Sequence, residues 1–131
     1  MTLARRARGL RGEALAADRL ARDGYRVLER NPRGPGGEID LVAEEGVTVV
    51  FVEVRSRATA AFGGAAATVT HEKQARLSRA ALAYLAARGW LERPARFDVV
   101  AVEGPEGGER VEVIRDAFAL VPPERAPRRW R

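Results

Sequence analysis

Residues 38–55, EIDLVAEEGVTVVFVEVR, carry the pattern on which the fold turns. From Glu38 to Glu44 apolar and polar residues alternate, the period of a strand with one face toward a core. Glu45-Gly46 reads as a tight turn, and Val47 to Arg55 follows as a second, strongly β-forming run. Its Val49-Val50-Phe51-Val52 stretch is apolar on both faces, so this strand is expected at the centre of a sheet, covered on both sides. With a two-residue turn at Glu45-Gly46, Glu38 falls opposite Glu53 and Asp40 opposite Phe51, all on one face. Opposite positions lie ~5 Å apart and diagonal ones ~7–8 Å. Two or three carboxylates then converge within reach of one divalent ion. An unpaired ionised carboxylate in a buried strand is costly, so a cation or donors must meet it. Oxygen ligands without His or Cys favour Mg²⁺ or Mn²⁺ over Zn²⁺. The competing reading makes Glu38 and Asp40 strand-edge groups paired with Arg33, Arg55 or Arg57.

On the N-terminal side, residues 9–23 place Leu10, Ala14, Leu15, Ala17, Leu20 and Ala21 at helical spacing before a stop at Gly24. Tyr25, Val27 and Leu28 read as a short strand, ended by Asn31 to Gly37, where Gly34, Gly36 and Gly37 make a turn rather than a phosphate-binding loop. On the C-terminal side, Ser56 to Thr70 is a small-residue loop longer than a usual connection. Thr70 reads as an N-cap, with Lys73 at the third helical position. His71 to Arg88 then carries the stripe Leu77, Ala80, Ala81, Tyr84 and Leu85 before Gly89. Phe97 to Val102 is a fourth strand, Gly104 to Gly108 a turn, and Arg110 to Ile114 a fifth strand, with a short apolar piece at Ala117 to Val121. The order αβββαββ predicts an α/β domain whose first three strands form a meander and whose second helix is a crossover.

The chain has 131 residues, the size of one domain, with 46% hydrophobic and 31% charged residues. The domain is expected over 1–121 and a flexible basic tail over 122–131. There is no cysteine, which excludes disulfides, thiolate zinc sites and a cysteine nucleophile. The single histidine, His71, would have to carry any histidine-based triad, and it reads as a surface residue. No apolar run approaches the ~20 residues that cross a bilayer, and no apolar stretch follows Arg5, Arg6, Arg8 and Arg11, so a cytoplasmic protein is expected. The net charge of +5 is uneven: +5 over residues 1–33, −3 over 34–121 and +3 over 122–131. Basic ends around an acidic middle suggest a polyanionic partner, with Arg5, Arg6, Arg8, Arg11, Arg33, Arg57, Arg128 and Arg129 as nucleic-acid contacts. Trp130 in the tail would add stacking. A single lysine beside 22 arginines also reads as coding bias toward arginine. Asp98 is expected to pair with an arginine from the N-terminus or a loop.

Several spaced motifs occur together: Gly12-Glu13-Ala14, Asn31 with Arg33, Gly37-Glu38-Ile39-Asp40-Leu41-Val42, Phe51-Val52-Glu53-Val54-Arg55-Ser56-Arg57, Thr70 with Lys73-Gln74, and Arg96-Phe97-Asp98-Val99-Val100. Over residues 9 to about 120 they resemble the YraN family of uncharacterised bacterial proteins. That family is similar to PD-(D/E)XK nucleases and archaeal Holliday-junction resolvases. The resemblance implies a restriction-endonuclease-like αβββαβ core, a central mixed sheet flanked by helices, here with an extra C-terminal strand. It implies metal-binding carboxylates at Asp40 and Glu53, a ligand from the Val54 carbonyl, Glu13 reaching in from the first helix, and Gln74 orienting water or phosphate. The implied activity is Mg²⁺- or Mn²⁺-dependent cleavage of branched or flapped DNA in repair or recombination, with DNA favoured over RNA and a two-fold homodimer as the assembly.

At one position the chain departs from the pattern, which calls for Glu-Val-Lys where Glu53-Val54-Arg55 stands. Arginine stays protonated, so Arg55 suits a phosphate contact and not a general base. Lys73, the sole lysine, lies in the first turn of the second helix and is the expected substitute, against the alternative of an ordinary exposed lysine at a helix start. The other functional reading is a nucleic-acid-binding or protein-partner module on a nuclease fold that has lost turnover.

Overall fold

The computed structural model describes residues 2–58 and 64–123. Of the expected basic tail only Pro122 and Pro123 are included, and Arg125, Arg128, Arg129, Trp130 and Arg131 lie outside the described residues. Helix α1 runs Leu3–Arg22, six residues longer at its start than the apolar spacing predicts. Thr2 caps it, its Oγ1 accepting the Arg5 N–H at 3.1 Å, and the alanines and arginines that follow are good helix formers. Arg5, Arg6, Arg8 and Arg11 therefore lie on the helix rather than ahead of it.

Its buried row also differs from the expected one. Gly12, Ala16, Ala17 and Leu20 face inward, while Leu10, Ala14 and Ala21 are exposed. The cause is Gly12: a Cβ there would stand 2.7 Å from the Ser56 Cβ, so the bare backbone is the contact surface. A stripe counted only from apolar side chains is turned away from it.

Strand β1 (Arg26–Arg30) leads into a two-residue pair, β2 (Arg33–Gly34) and β3 (Gly37–Glu38). Then come β4 (Leu41–Glu45), β5 (Thr48–Arg57), a 3₁₀ turn (Ala65–Thr68), α2 (His71–Arg88), β6 (Ala95–Glu103) and β7 (Arg110–Phe118). The main sheet has the order β1-β4-β5-β6-β7, with β5 and β6 parallel and the other neighbours antiparallel. Helix α2 is the crossover between the parallel pair, capped by Thr70 and stopped by Gly89 at φ +70°. Its expected stripe is buried in full.

Alternate residues of β5 feed two cores. Val49 and Phe51 pack with Leu77, Ala81 and Tyr84 under α2, whereas Val50 and Val52 pack with Ala16, Ala17 and Leu20 under α1. The result is a mixed α/β fold, a five-stranded sheet flanked by two helices, consistent with a restriction-endonuclease-like core. No helix among the described residues is long and apolar enough to cross a membrane.

Two features near the centre correct the sequence reading. The β4–β5 turn is Gly46-Val47, with Gly46 at φ +59° in the first central position that a type II′ turn favours. The ladder therefore pairs Leu41 with Val52 and Val42 with Phe51. Asp40, one step beyond, faces Glu53 and not Phe51. Glu38 belongs to the separate β2–β3 hairpin rather than to the second long strand. That hairpin lies flat on α2, because a Cβ at Gly36 would come within 2.7 Å of the Ala80 nitrogen, and Arg76 donates to the Gly36 and Glu38 carbonyls at 2.8 and 3.2 Å.

Candidate functional site

Beyond the start of β4, where its partner β5 continues, an open cavity of about 390 Å³ lies between α1 and the start of α2. Glu13 comes from α1, Asp40 from the segment before β4, Glu53, Val54, Arg55 and Arg57 from β5, Thr68 from the 3₁₀ turn and Lys73 from α2. Asp40 continues the sheet with its side chain, Oδ2 accepting the Val54 N–H at 2.8 Å. Glu53 is only 4% exposed, although it sits at the end of the most apolar strand. Burial, followed by the charge of Glu53, pushes the Asp40 carboxyl up to about 8. Glu13 is raised as well, by burial first, with Glu38 and Glu53 adding to it against the hydrogen bond from Asn31.

Cations meet this pair from one side. Lys73 Nζ is 2.5 Å from Glu53 Oε2. Arg55 Nη1 lies farther off, 3.6 Å from the same oxygen. The rest of the Arg55 guanidinium is committed: Nε donates to Thr68 Oγ1 at 3.0 Å and Nη2 to the Thr68 carbonyl at 2.9 Å. Thr68 is fixed in turn through its hydroxyl to the Ala65 carbonyl at 2.6 Å. Arg55 thus ties the 3₁₀ turn to β5, while the Lys73 ammonium holds the carboxylate.

On the other side Asn31 joins the acids. Its backbone sits at φ +53°, a left-handed conformation that asparagine tolerates better than most residues. Its Nδ2 donates to Glu13 Oε1 at 3.1 Å and to Glu38 Oε1 at 2.8 Å, and its N–H donates to the Asp40 carbonyl at 2.9 Å. Carboxylate oxygens of Glu13, Glu38 and Asp40 all lie within 4.8 Å of one another. Arg33 pairs with Glu38 at 3.1 Å. The ion-pair alternative therefore describes Glu38 and Arg33, whereas Asp40 has no arginine partner among the described residues.

The structure brings Glu13, Asp40, Glu53, Val54, Arg55 and Lys73 around one cavity. Gln74 is not part of its lining, and its Nε2 donates instead to the Val69 carbonyl at 3.0 Å, bracing the chain before α2. His71 is exposed and away from the lining. Arg57 reaches the cavity and lies 3.3 Å from Glu103. Arg11 pairs with Glu109, and Arg5, Arg6 and Arg8 are exposed on α1. Asp98 does not pair with an N-terminal or loop arginine; its partner is Arg96, two residues earlier on the same strand, at 2.9 Å.

Asn31 is the site residue for which sequence reasoning found no role, and an asparagine before a proline at a strand end was the available signal. Glu38 was within reach of that reasoning as a converging carboxylate, but it arrives on the hairpin and not on the strand.

The model of an uncharacterised protein family, UPF0102, matches residues 12–102. A UPF0102 protein of Moorella thermoacetica is 52% identical over 120 residues, covering 90% of this chain and all of that protein. One from Geobacter sulfurreducens is 49% identical over 114 residues, covering 86% of this chain and 88% of that protein. One from Symbiobacterium thermophilum is 48% identical over 111 residues, covering 84% and 94%.

Proposed function

The chain belongs to the uncharacterised protein family UPF0102, and we propose that it is a metal-dependent endonuclease of the PD-(D/E)XK type acting on branched or flapped DNA. The observation that carries this reading is the placement of Asp40 across from Glu53, one step beyond the Leu41–Val52 pair, with Glu13 and Lys73 on the same open cavity. The donor set fits a hard divalent cation, since every available side-chain ligand is a carboxylate. Asp40 in particular has no cationic partner among the described residues, and burial beside Glu53 pushes its carboxyl up to about 8, a cost that a bound cation removes. Asp40, Glu53, Glu13 and the Val54 carbonyl would hold Mg²⁺ or Mn²⁺, with Glu38 close enough to contribute. Such an ion supplies charge neutralisation at a phosphodiester and a water of lowered pKa.

The chain's own residues divide the remaining work. Arg55, immobilised on Thr68 and permanently charged, suits a fixed phosphate contact. Lys73 places its compact ammonium beside Glu53 and takes the role that Arg55, committed to Thr68, cannot fill. Gln74 supports it indirectly, by holding Val69 ahead of the helix.

A second reading has one observation in its favour: Glu53 is already neutralised by Lys73 and Arg55 without any ion. It makes the chain a DNA-binding or protein-partner module without turnover. The test is incubation of the pure protein with end-labelled four-way junction, flap, single-stranded and linear DNA, in Mg²⁺, Mn²⁺ or chelator, beside Asp40→Asn and Glu53→Gln. Metal-dependent cutting that both substitutions abolish supports the nuclease. Binding with no cutting in either metal overturns it in favour of the second reading.

A further inference from the structure

A second groove, of about 450 Å³, lies between the N-terminal half of α1 and the β6–β7 turn. Ser56 lines both it and the carboxylate cavity, and its Oγ donates to the Arg8 carbonyl at 3.4 Å, so the two depressions meet end to end. One wall carries Arg8 and Arg11, the other Glu106 and Glu109.

Two arginines near this junction are each paired with a glutamate. Arg11 presents its fork to Glu109, Nε to Oε2 and Nη2 to Oε1, the latter at 3.1 Å. This two-pronged geometry is the one a guanidinium uses for phosphate. Arg57, next to Ser56 on the cavity side, is shielded from solvent and places Nη2 3.3 Å from Glu103 Oε2 of β6. Arg8 and Arg11 thus stand in the groove and Arg57 in the cavity beyond Ser56, a run of guanidinium groups along one path. Both carboxylates flank the same β6–β7 turn, which Gly104 and Gly107 form at φ +118° and +87°.

We propose that this groove is the track for the phosphate backbone of a duplex DNA arm leading into the carboxylate cavity, and that Glu109 occupies Arg11 as an internal stand-in for a phosphate. The identity of the polyanion rests on the nuclease reading; the groove and its charges do not. DNA entering the track displaces Glu109 from Arg11. The turn therefore lowers affinity for nucleic acid in general, because each entering phosphate competes with a carboxylate already in place.

The test is fluorescence anisotropy of a labelled 20-base-pair duplex and a four-way junction, in chelator and across a salt series. Arg11→Ala is expected to weaken binding several-fold and to reduce the slope of log affinity against log salt by about one. Glu109→Gln, which still accepts the Gly107 N–H that shapes the turn, is expected to tighten binding several-fold. An unchanged salt slope in Arg11→Ala, or no tightening in Glu109→Gln, overturns the proposal. Thermal melts verify folding. Should Glu109→Gln unfold, Glu106→Gln decides, since its charge also acts on Arg11 and its loss must tighten binding too. Chelator removes turnover from the measurement. Altered binding without metal-dependent cutting therefore keeps the track and ends the nuclease reading, while cutting with unaltered binding does the reverse.

Discussion

Asp98 and Asp40 sit near opposite sides of the same central strand and are treated in opposite ways. Asp98 is fully buried and met by donors at every turn. Arg96 Nε reaches it at 2.9 Å, the Tyr25 hydroxyl at 2.8 Å and the Asp116 N–H at 2.9 Å. Arg115 and Glu45 extend the network, Arg115 donating to Tyr25 Oη at 2.9 Å and to Glu45 at 2.8 Å. Asp98 also pins the irregularity between Phe97 and Val99, where β7 takes two extra residues beside Asp116 at φ +51°. Asp40 receives one backbone N–H and otherwise faces other acids. The first carboxylate completes the fold, whereas the second is left with a deficit of positive charge. Such deficits mark sites where something else is meant to bind.

The contrast can be broken at either end. Asp98→Ala leaves Arg96 with Glu45 as its acidic partner, takes the acceptor from the Tyr25 hydroxyl and the Asp116 N–H, and is expected to cost about 3–5 kcal/mol of stability, read from urea unfolding; a loss below about 1 kcal/mol would make the network ornamental. On the nuclease proposed above, Asp40→Asn is expected to leave the fold intact while lowering cleavage by about 10²–10³-fold, read in single-turnover assays. Retained cutting would remove Asp40 from the chemistry.

Titration should separate the two carboxylate clusters by sign. Asp40 is raised from 3.8 to about 8 by burial and by Glu53. Between those values the folded chain holds a proton that the unfolded chain has lost, so metal-free stability falls as pH rises through that window. Asp40→Asn should flatten this fall and melt higher than the native chain at pH 8 in chelator. Glu45 is lowered from 4.5 to about 2 by Arg115 and then Arg96, so its contribution is present above 4.5 and fades as pH drops toward 2. The smallest effect is expected at the rim: Arg115, with its side chain 53% exposed, should cost under about 1 kcal/mol when changed to Ala, measured by the same urea titration.

Much of this contrast was legible in the residues, for reasons that differ from place to place. The Val49 to Val52 run names its own environment, since only a central strand buries both faces. Helix α2 announces itself through Thr70, its stripe and Gly89. The pairing of Asp40 was not legible. Glu45-Gly46 and Gly46-Val47 are both plausible two-residue turns, and choosing between them moves every partner across the hairpin by two places. The start of α1 was hidden because arginines carry no apolar period. Its buried face was hidden because the contact belongs to Gly12, which has no side chain to count. Asn31 was hidden because its role depends on three carboxyl-bearing residues from separate segments, visible only once they meet.

Gly12 has one more consequence. It fixes the thickness of the layer between α1 and β5, and the residue next to it is Glu13, which projects from the same turn of helix into the cavity. Layer thickness and carboxylate reach are thus a single dimension. A methyl group at Gly12, 2.7 Å from Ser56, would act as a wedge: it would lift the helix off the sheet and carry the tip of Glu13 away from Asn31 without altering any group that does chemistry. The site is thereby toleranced by a position that holds no functional atom of its own.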